Sequence, residues 1–97
     1  MRFHRSAPTE SGVILRSFAD HSSPRIRVVV AAALGTNKQP ADENALIALS
    51  RDPHPSVRFA AVRGLSGHQT TPAQEAQRFL CEDLDPKVRE EAKRLFQ

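Results

Sequence analysis

Four histidines, one cysteine and a set of regularly spaced arginines are the residues of this chain able to do chemistry. His4, His21, His54 and His68 have no metal-ligand spacing with one another or with Cys81. Each falls in a tail or a turn, where a solvated imidazole is expected. Cys81 aligns with Ser50 and Ala19 in a small-residue position near the end of a helix. The helix dipole there disfavours a thiolate, so an inert buried thiol is expected rather than a nucleophile. Gly64-Leu65-Ser66-Gly67 has no strand before it and does not form a phosphate loop. These residues give no catalytic set, no metal site and no cofactor site, and the chain reads as a non-enzyme.

The arginines are different, because three of them recur in one phrase. Ser23-Pro24-Arg25-Ile26-Arg27, His54-Pro55-Ser56-Val57-Arg58 and Asp85-Pro86-Lys87-Val88-Arg89 each read Pro, any residue, aliphatic, Arg. The prolines stand 31 residues apart, twice over. A period of this size signals stacked supersecondary units. Arg27, Arg58 and Arg89 could form an anion-binding row, or they could hold the units together.

The elements that carry this row are helices. After the prolines, Ile26, Val29, Val30, Ala33 and Leu34 fall on one helical face, as do Val57, Ala60, Ala61, Gly64 and Leu65. Val88, Glu91, Ala92, Leu95 and Phe96 follow the same spacing. Proline is tolerated in a first helical turn, and Ser23 and Asp85 before it are good N-caps. A shorter helix precedes each of these, with Ile14, Leu15 and Phe18, then Ala45, Leu46 and Leu49, then Ala76, Phe79 and Leu80 as its apolar residues. Gly35 and Gly67 are placed to end helices in the left-handed conformation. The spacing predicts six helices near 9–20, 24–34, 40–50, 55–65, 72–82 and 86–96, preceded by a tail over 1–8. One domain over 9–97 is expected, in units of about 9–35, 40–66 and 72–97.

The composition permits this and excludes other classes. A chain of 97 residues makes one small domain with a thin core. The net charge is +3, but the basic excess sits mainly in residues 1–34, with five basic and two acidic groups. Residues 67–97 carry five and six. A nucleic-acid footprint is usually more clustered, and there is no Trp or Tyr for base stacking. One cysteine allows no intrachain disulfide, which fits a reducing compartment. No apolar run is long enough to span a membrane, so a cytoplasmic protein is expected.

Asp52-Pro53-His54-Pro55-Ser56-Val57-Arg58, followed by Ala60-Ala61 and Leu65, resembles a HEAT repeat. The short period is similar to the compact HEAT-like units of the phycobilisome bilin lyase group. The resemblance runs from about Thr9 to Gln97 and implies an all-α, right-handed solenoid of three helical hairpins. It also implies that each phrase Arg pairs with an acidic residue of a preceding turn, in its own or a neighbouring unit. Asp52 and Asp83 are in place for that, with Asp20 as the substitute in the first unit, where His21 stands in the Asp position.

In such arrays the second helices line the concave side. Opposite the expected core face lie Val28, Ala31, Ala32 and Gly35, then Phe59, Val62, Arg63 and Ser66, then Glu90, Lys93, Arg94 and Gln97. An apolar patch rimmed by charge suits a protein partner. Val28, Phe59, Val62, Arg63, Glu90, Lys93 and Arg94 are therefore the expected partner-binding residues. The expected function is a protein–protein interaction module whose partner the residues do not name. A second reading is nucleic-acid binding through Arg25, Arg63, Lys93, Arg94 and the basic N-terminal tail. A third is self-association through the uncovered N-terminal face. The polar third unit, with Glu90 and Glu91 at usually apolar positions, suits a terminal repeat.

Overall fold

The computed structural model describes residues 13–97, so the expected tail, with His4, lies outside them. Residues 13–17 are helical and are called α1. There follow α2 (Pro24–Asn37), a 3-10 turn (Pro40–Asp42) leading into α3 (Glu43–Leu49), α4 (Pro55–Leu65), α5 (Thr71–Leu80) and α6 (Pro86–Phe96). The described residues hold no strand. Each phrase proline opens one of the longer helices, α2, α4 and α6.

Local chemistry sets the ends. Ser23 Oγ accepts from the Ile26 amide, and Asp85 Oδ1 accepts from the amides of Lys87 and Val88. These bonds satisfy amides that the first helical turn leaves without a backbone partner. His54 gives no such cap. Gly67 takes the left-handed conformation (φ 96°) and closes the α4 end. Gly35 does not, contrary to the expectation above: α2 runs through it, and Lys38 is the left-handed residue (φ 53°). Lys38 is held there by its amide bond to Leu34 O and by Nζ donating to Ser66 O at 2.8 Å.

Gly35 has another task. A Cβ on it would lie 2.6 Å from Gly64 Cα, so α2 and α4 touch backbone to backbone at this point. The long helices pack on one another in the order α2, α4, α6, and the short ones lie alongside. A middle helix therefore needs buried surface toward its own hairpin and toward its neighbours. That requirement corrects the expected core face. Ala31, Gly35 and Val62, expected outside, are buried, while Ile26 and Val29, expected inside, are exposed, Val29 by 58%. The core is Val30, Ala31, Leu34, Leu46, Leu49, Val57, Ala61, Val62, Leu65, Ala73, Ala76, Leu80, Val88 and Ala92, joined by Cys81.

Among the short helices, Ile14, Phe18 and Phe79 are also more exposed than expected. Phe79 is exposed, as is its equivalent 31 residues earlier, Ala48. Glu91 does not break the core, since its equivalents Val29 and Ala60 are exposed and half-buried. No described helix is long and apolar enough to cross a membrane.

Candidate partner-binding surface

The phrase arginines tie the units together through side chains 25 residues apart. Arg27 Nε and Nη2 donate to the two carboxylate oxygens of Asp52 at 2.6 and 3.0 Å. Arg58 does the same to Asp83 at 2.9 and 3.0 Å. Each guanidinium also reaches back to its own turn. Arg27 Nη1 donates to His21 O and Ser22 O, Arg58 Nη1 to Asp52 O and Pro53 O, and Arg89 Nη1 to Asp83 O. Each Asp takes one more bond, Asp52 from the His54 amide and Asp83 from the Asp85 amide, both at 2.9 Å. Burial alone would raise both carboxyl pKa values. The guanidinium and amide donors outweigh it and hold both below the usual carboxylate range.

These pairs join one unit to the next, so Arg27 and Arg58 are structural cations rather than a free anion-binding row. Arg89, by contrast, meets no carboxylate among the described residues. Asp20 does not stand in for the missing acid of the first unit. His21 occupies the turn, with Nδ1 accepting from the Ser23 amide at 2.9 Å.

The expected binding residues divide in two. Val62 is fully buried between helices and is a core residue, not a surface one. Val28 and Phe59 are half-buried, and Arg63, Glu90, Lys93 and Arg94 are exposed. Phe59 and Arg63 meet in a cation–π contact, with the guanidinium carbon 5.2 Å from the ring centroid. Beside them runs a shallow groove of about 370 Å³ between α2 and α4, lined by Ala32, Gly35, Thr36, Ala60 and Gly64.

Arg63 is positioned from its other side by Glu91, 3.0 Å from its Nε, and Glu91 also takes two bonds from Arg94, at 2.7 and 3.1 Å. Arg94 foremost, then Arg63, holds the Glu91 carboxyl down to about 2, against the opposing effect of burial. A family model of HEAT repeats matches residues 13–95.

The chain belongs to the HEAT-repeat family.

HEAT repeats are generally protein-interaction scaffolds, built as helical solenoids. No curated protein matches this chain. In this HEAT array the sequence reading overlooked three features. Buried Asp42 is held by Arg16, and it lies in a 3-10 turn that helical periodicity does not mark. His68, expected in solvent, is buried, with Nδ1 3.3 Å from Oε1 of Glu43, the first residue of α3. Thr70 donates to the same Glu43. Third, Phe79 and Leu84 stand out as exposed apolar side chains, at 70% and 94%. The 31-residue register was the available signal for Phe79, since it aligns Phe79 with Ala48 and Ser17 and aligns Leu80 with Leu49. For the other candidates, His21 and His54 are exposed and Cys81 is buried, with burial pushing its thiol pKa up. No group of three potential ligands gathers among the described residues.

Proposed function

We propose that this HEAT array, spanning about residues 9–97 in units of about 9–35, 40–66 and 72–97, binds a protein partner on the face of its second helices. Phe59 and Arg63 form the centre, Val28 and Ala32 extend it, and Glu90, Lys93 and Arg94 form the rim. The observation that carries this reading is the Phe59–Arg63–Glu91–Arg94 chain of contacts. It fixes an aromatic ring and a guanidinium beside an apolar groove before any partner arrives. Phe and Arg are interface-favoured types, and groups ordered in advance lose less entropy on binding.

The same contacts count against nucleic acid. Arg63 and Arg94 are both engaged by Glu91, and Glu90 adds a further negative charge beside them. Phosphate would have to displace or lie next to these carboxylates. The chain is read as a non-enzyme: its one thiol is buried, and among the described residues no histidine or carboxylate is hydrogen-bonded to it.

A second protein-binding surface is favoured by exposure alone. Phe79 and Leu84 lie beside a groove that includes Arg51 and Ala76, on the side of the short helices. Affinity capture from the source cell decides between these readings. Phe59→Ala should abolish capture of the partner and Leu84→Ser should leave it intact, each with unchanged helical circular dichroism. Capture of nucleic acid that falls steeply with salt would overturn the protein reading.

A further inference from the structure

We infer, taking protein docking on the second-helix face as given, that the partner presents a short helical segment with an aliphatic side chain for the α2–α4 groove and a carboxylate one turn away for Arg63.

The groove lies inside the array, between the first and second units, and α4 packs on α6 beyond it. It is one helical turn long, from Ala32 to Thr36 on one wall and from Ala60 to Gly64 on the other. Its floor is low because the backbones touch at Gly35 and Gly64. The hydroxyl of Thr36 is spent on Ala32 O, at 3.0 Å. Of the side chains that line the groove, only Arg63 has donors left over. A small apolar recess with one convergent polar group takes an aliphatic side chain that carries one polar neighbour.

Charge identifies that neighbour. Neither α2 nor α4 contains an acidic residue. Arg27 and Arg58 are spent on Asp52 and Asp83, which leaves Arg25 and Arg63, and Arg63 is the one at the groove. Glu91 holds its Nε at 3.0 Å and the Phe59 ring lies beneath its guanidinium. Its two Nη groups have no partner among the described residues, and the side chain is 64% exposed. A guanidinium fixed in this way offers the two parallel donors that a carboxylate matches.

The occupant carries one acid, not a row of them. Arg63, Arg94 and Glu91 together hold two positive charges and one negative, since Arg94 and Arg63 keep the Glu91 carboxyl ionised down to about 2. A single carboxylate neutralises this cluster. The exposed Glu90 on α6 disfavours a second anion, and so counts against the repeating phosphates of nucleic acid. On a helix, side chains three or four positions apart stand about 5–6 Å from each other on one face. That spacing suits a groove one turn long with Arg63 at its border.

The test titrates the full chain with a capped, alanine-based helical peptide that has Glu four residues before Leu. NMR follows the Arg63 Nε–H and the Ala32 methyl resonances. Both should move and saturate with a Kd of about 1 mM. The same peptide with Gln for Glu should bind about tenfold more weakly. Arg63→Gln, at an exposed position, should remove the difference between the two peptides. Equal binding of both peptides by the native chain, or a preference that survives Arg63→Gln, overturns the inference. So does tighter binding of a Lys-for-Glu peptide, or of a single-stranded oligothymidylate, at the same resonances. A Glu peptide that moves neither resonance overturns it as well. Protein docking itself is read separately, by a crosslinked protein product at Ala32 in the source cell.

Discussion

Arg58 and Asp83, 25 residues apart, form a two-bond ion pair that fastens the second HEAT unit to the third, with Nε–Oδ2 at 2.9 Å and Nη2–Oδ1 at 3.0 Å. Arg27 and Asp52 repeat it between the first and second. The side chains are mostly shielded from solvent, and each carboxylate also serves a backbone amide.

Asp83→Ala should therefore destabilise the fold by about 1–3 kcal/mol, because Arg58 Nε and Nη2 and the Asp85 amide all lose their acceptor. Chemical denaturation measures this directly. A double-mutant cycle of Arg58→Ala with Asp83→Ala should give a coupling of about 0.5–3 kcal/mol. Arg89→Ala should cost clearly less than Arg58→Ala, since Arg89 makes one side-chain hydrogen bond to a backbone oxygen. Equal costs would contradict the role assigned to the inter-unit pairs.

Acid should loosen the array. Asp52 and Asp83 are held below the usual carboxylate range and Glu91 at about 2. Unfolded carboxyls titrate at about 4, so between that value and about 2 the unfolded chain binds more protons than the folded one. The stabilisation is complete above about pH 5 and is lost as pH falls toward about 2. Melting temperature should follow that course, and Glu91→Gln should flatten part of the slope. A melting temperature that rises on acidification through this window would contradict the sign.

The close approach of α2 and α4 makes a prediction opposite to helix propensity. Alanine is the better helix former by about 1 kcal/mol. Yet the Gly35→Ala methyl would meet Gly64 Cα, a backbone atom that cannot swing aside. Gly35→Ala should be net destabilising, by about 1–3 kcal/mol in urea denaturation. Gly64→Ala meets mainly the flexible end of Leu46 and should cost less. Stabilisation by Gly35→Ala would show that the helices do not touch here.

Much of this fold was legible in the residues, and the reasons it was not fully so are local. The proline–arginine phrase located α2, α4 and α6, and the capping side chains Ser23 and Asp85 marked two of their starts. A single helical wheel could not place Ala31 and Val62, because it assigns one apolar face to a helix that packs on several sides. Gly35 read as a helix end because contact between backbones has no periodic signature. Of the candidate surface, Phe59 and Arg63 were visible as types and positions. Their fixing by Glu91 was not, since that link joins residues 28 apart.

Leu65, fully buried beside α5, tests the placement of the core. Leu65→Ala should cost about 2–5 kcal/mol. A melting curve like that of a surface control such as Lys87→Ala would contradict it.

The central claim, that a protein docks on the second-helix face, is tested most directly by site-specific photo-crosslinking in the source cell. A photoreactive side chain at Ala32, exposed on the groove beside Phe59, should give a discrete crosslinked protein product. The same group at Leu84, at 94% exposure on the side of the short helices, should give none. A product at Leu84 with none at Ala32 would contradict the account.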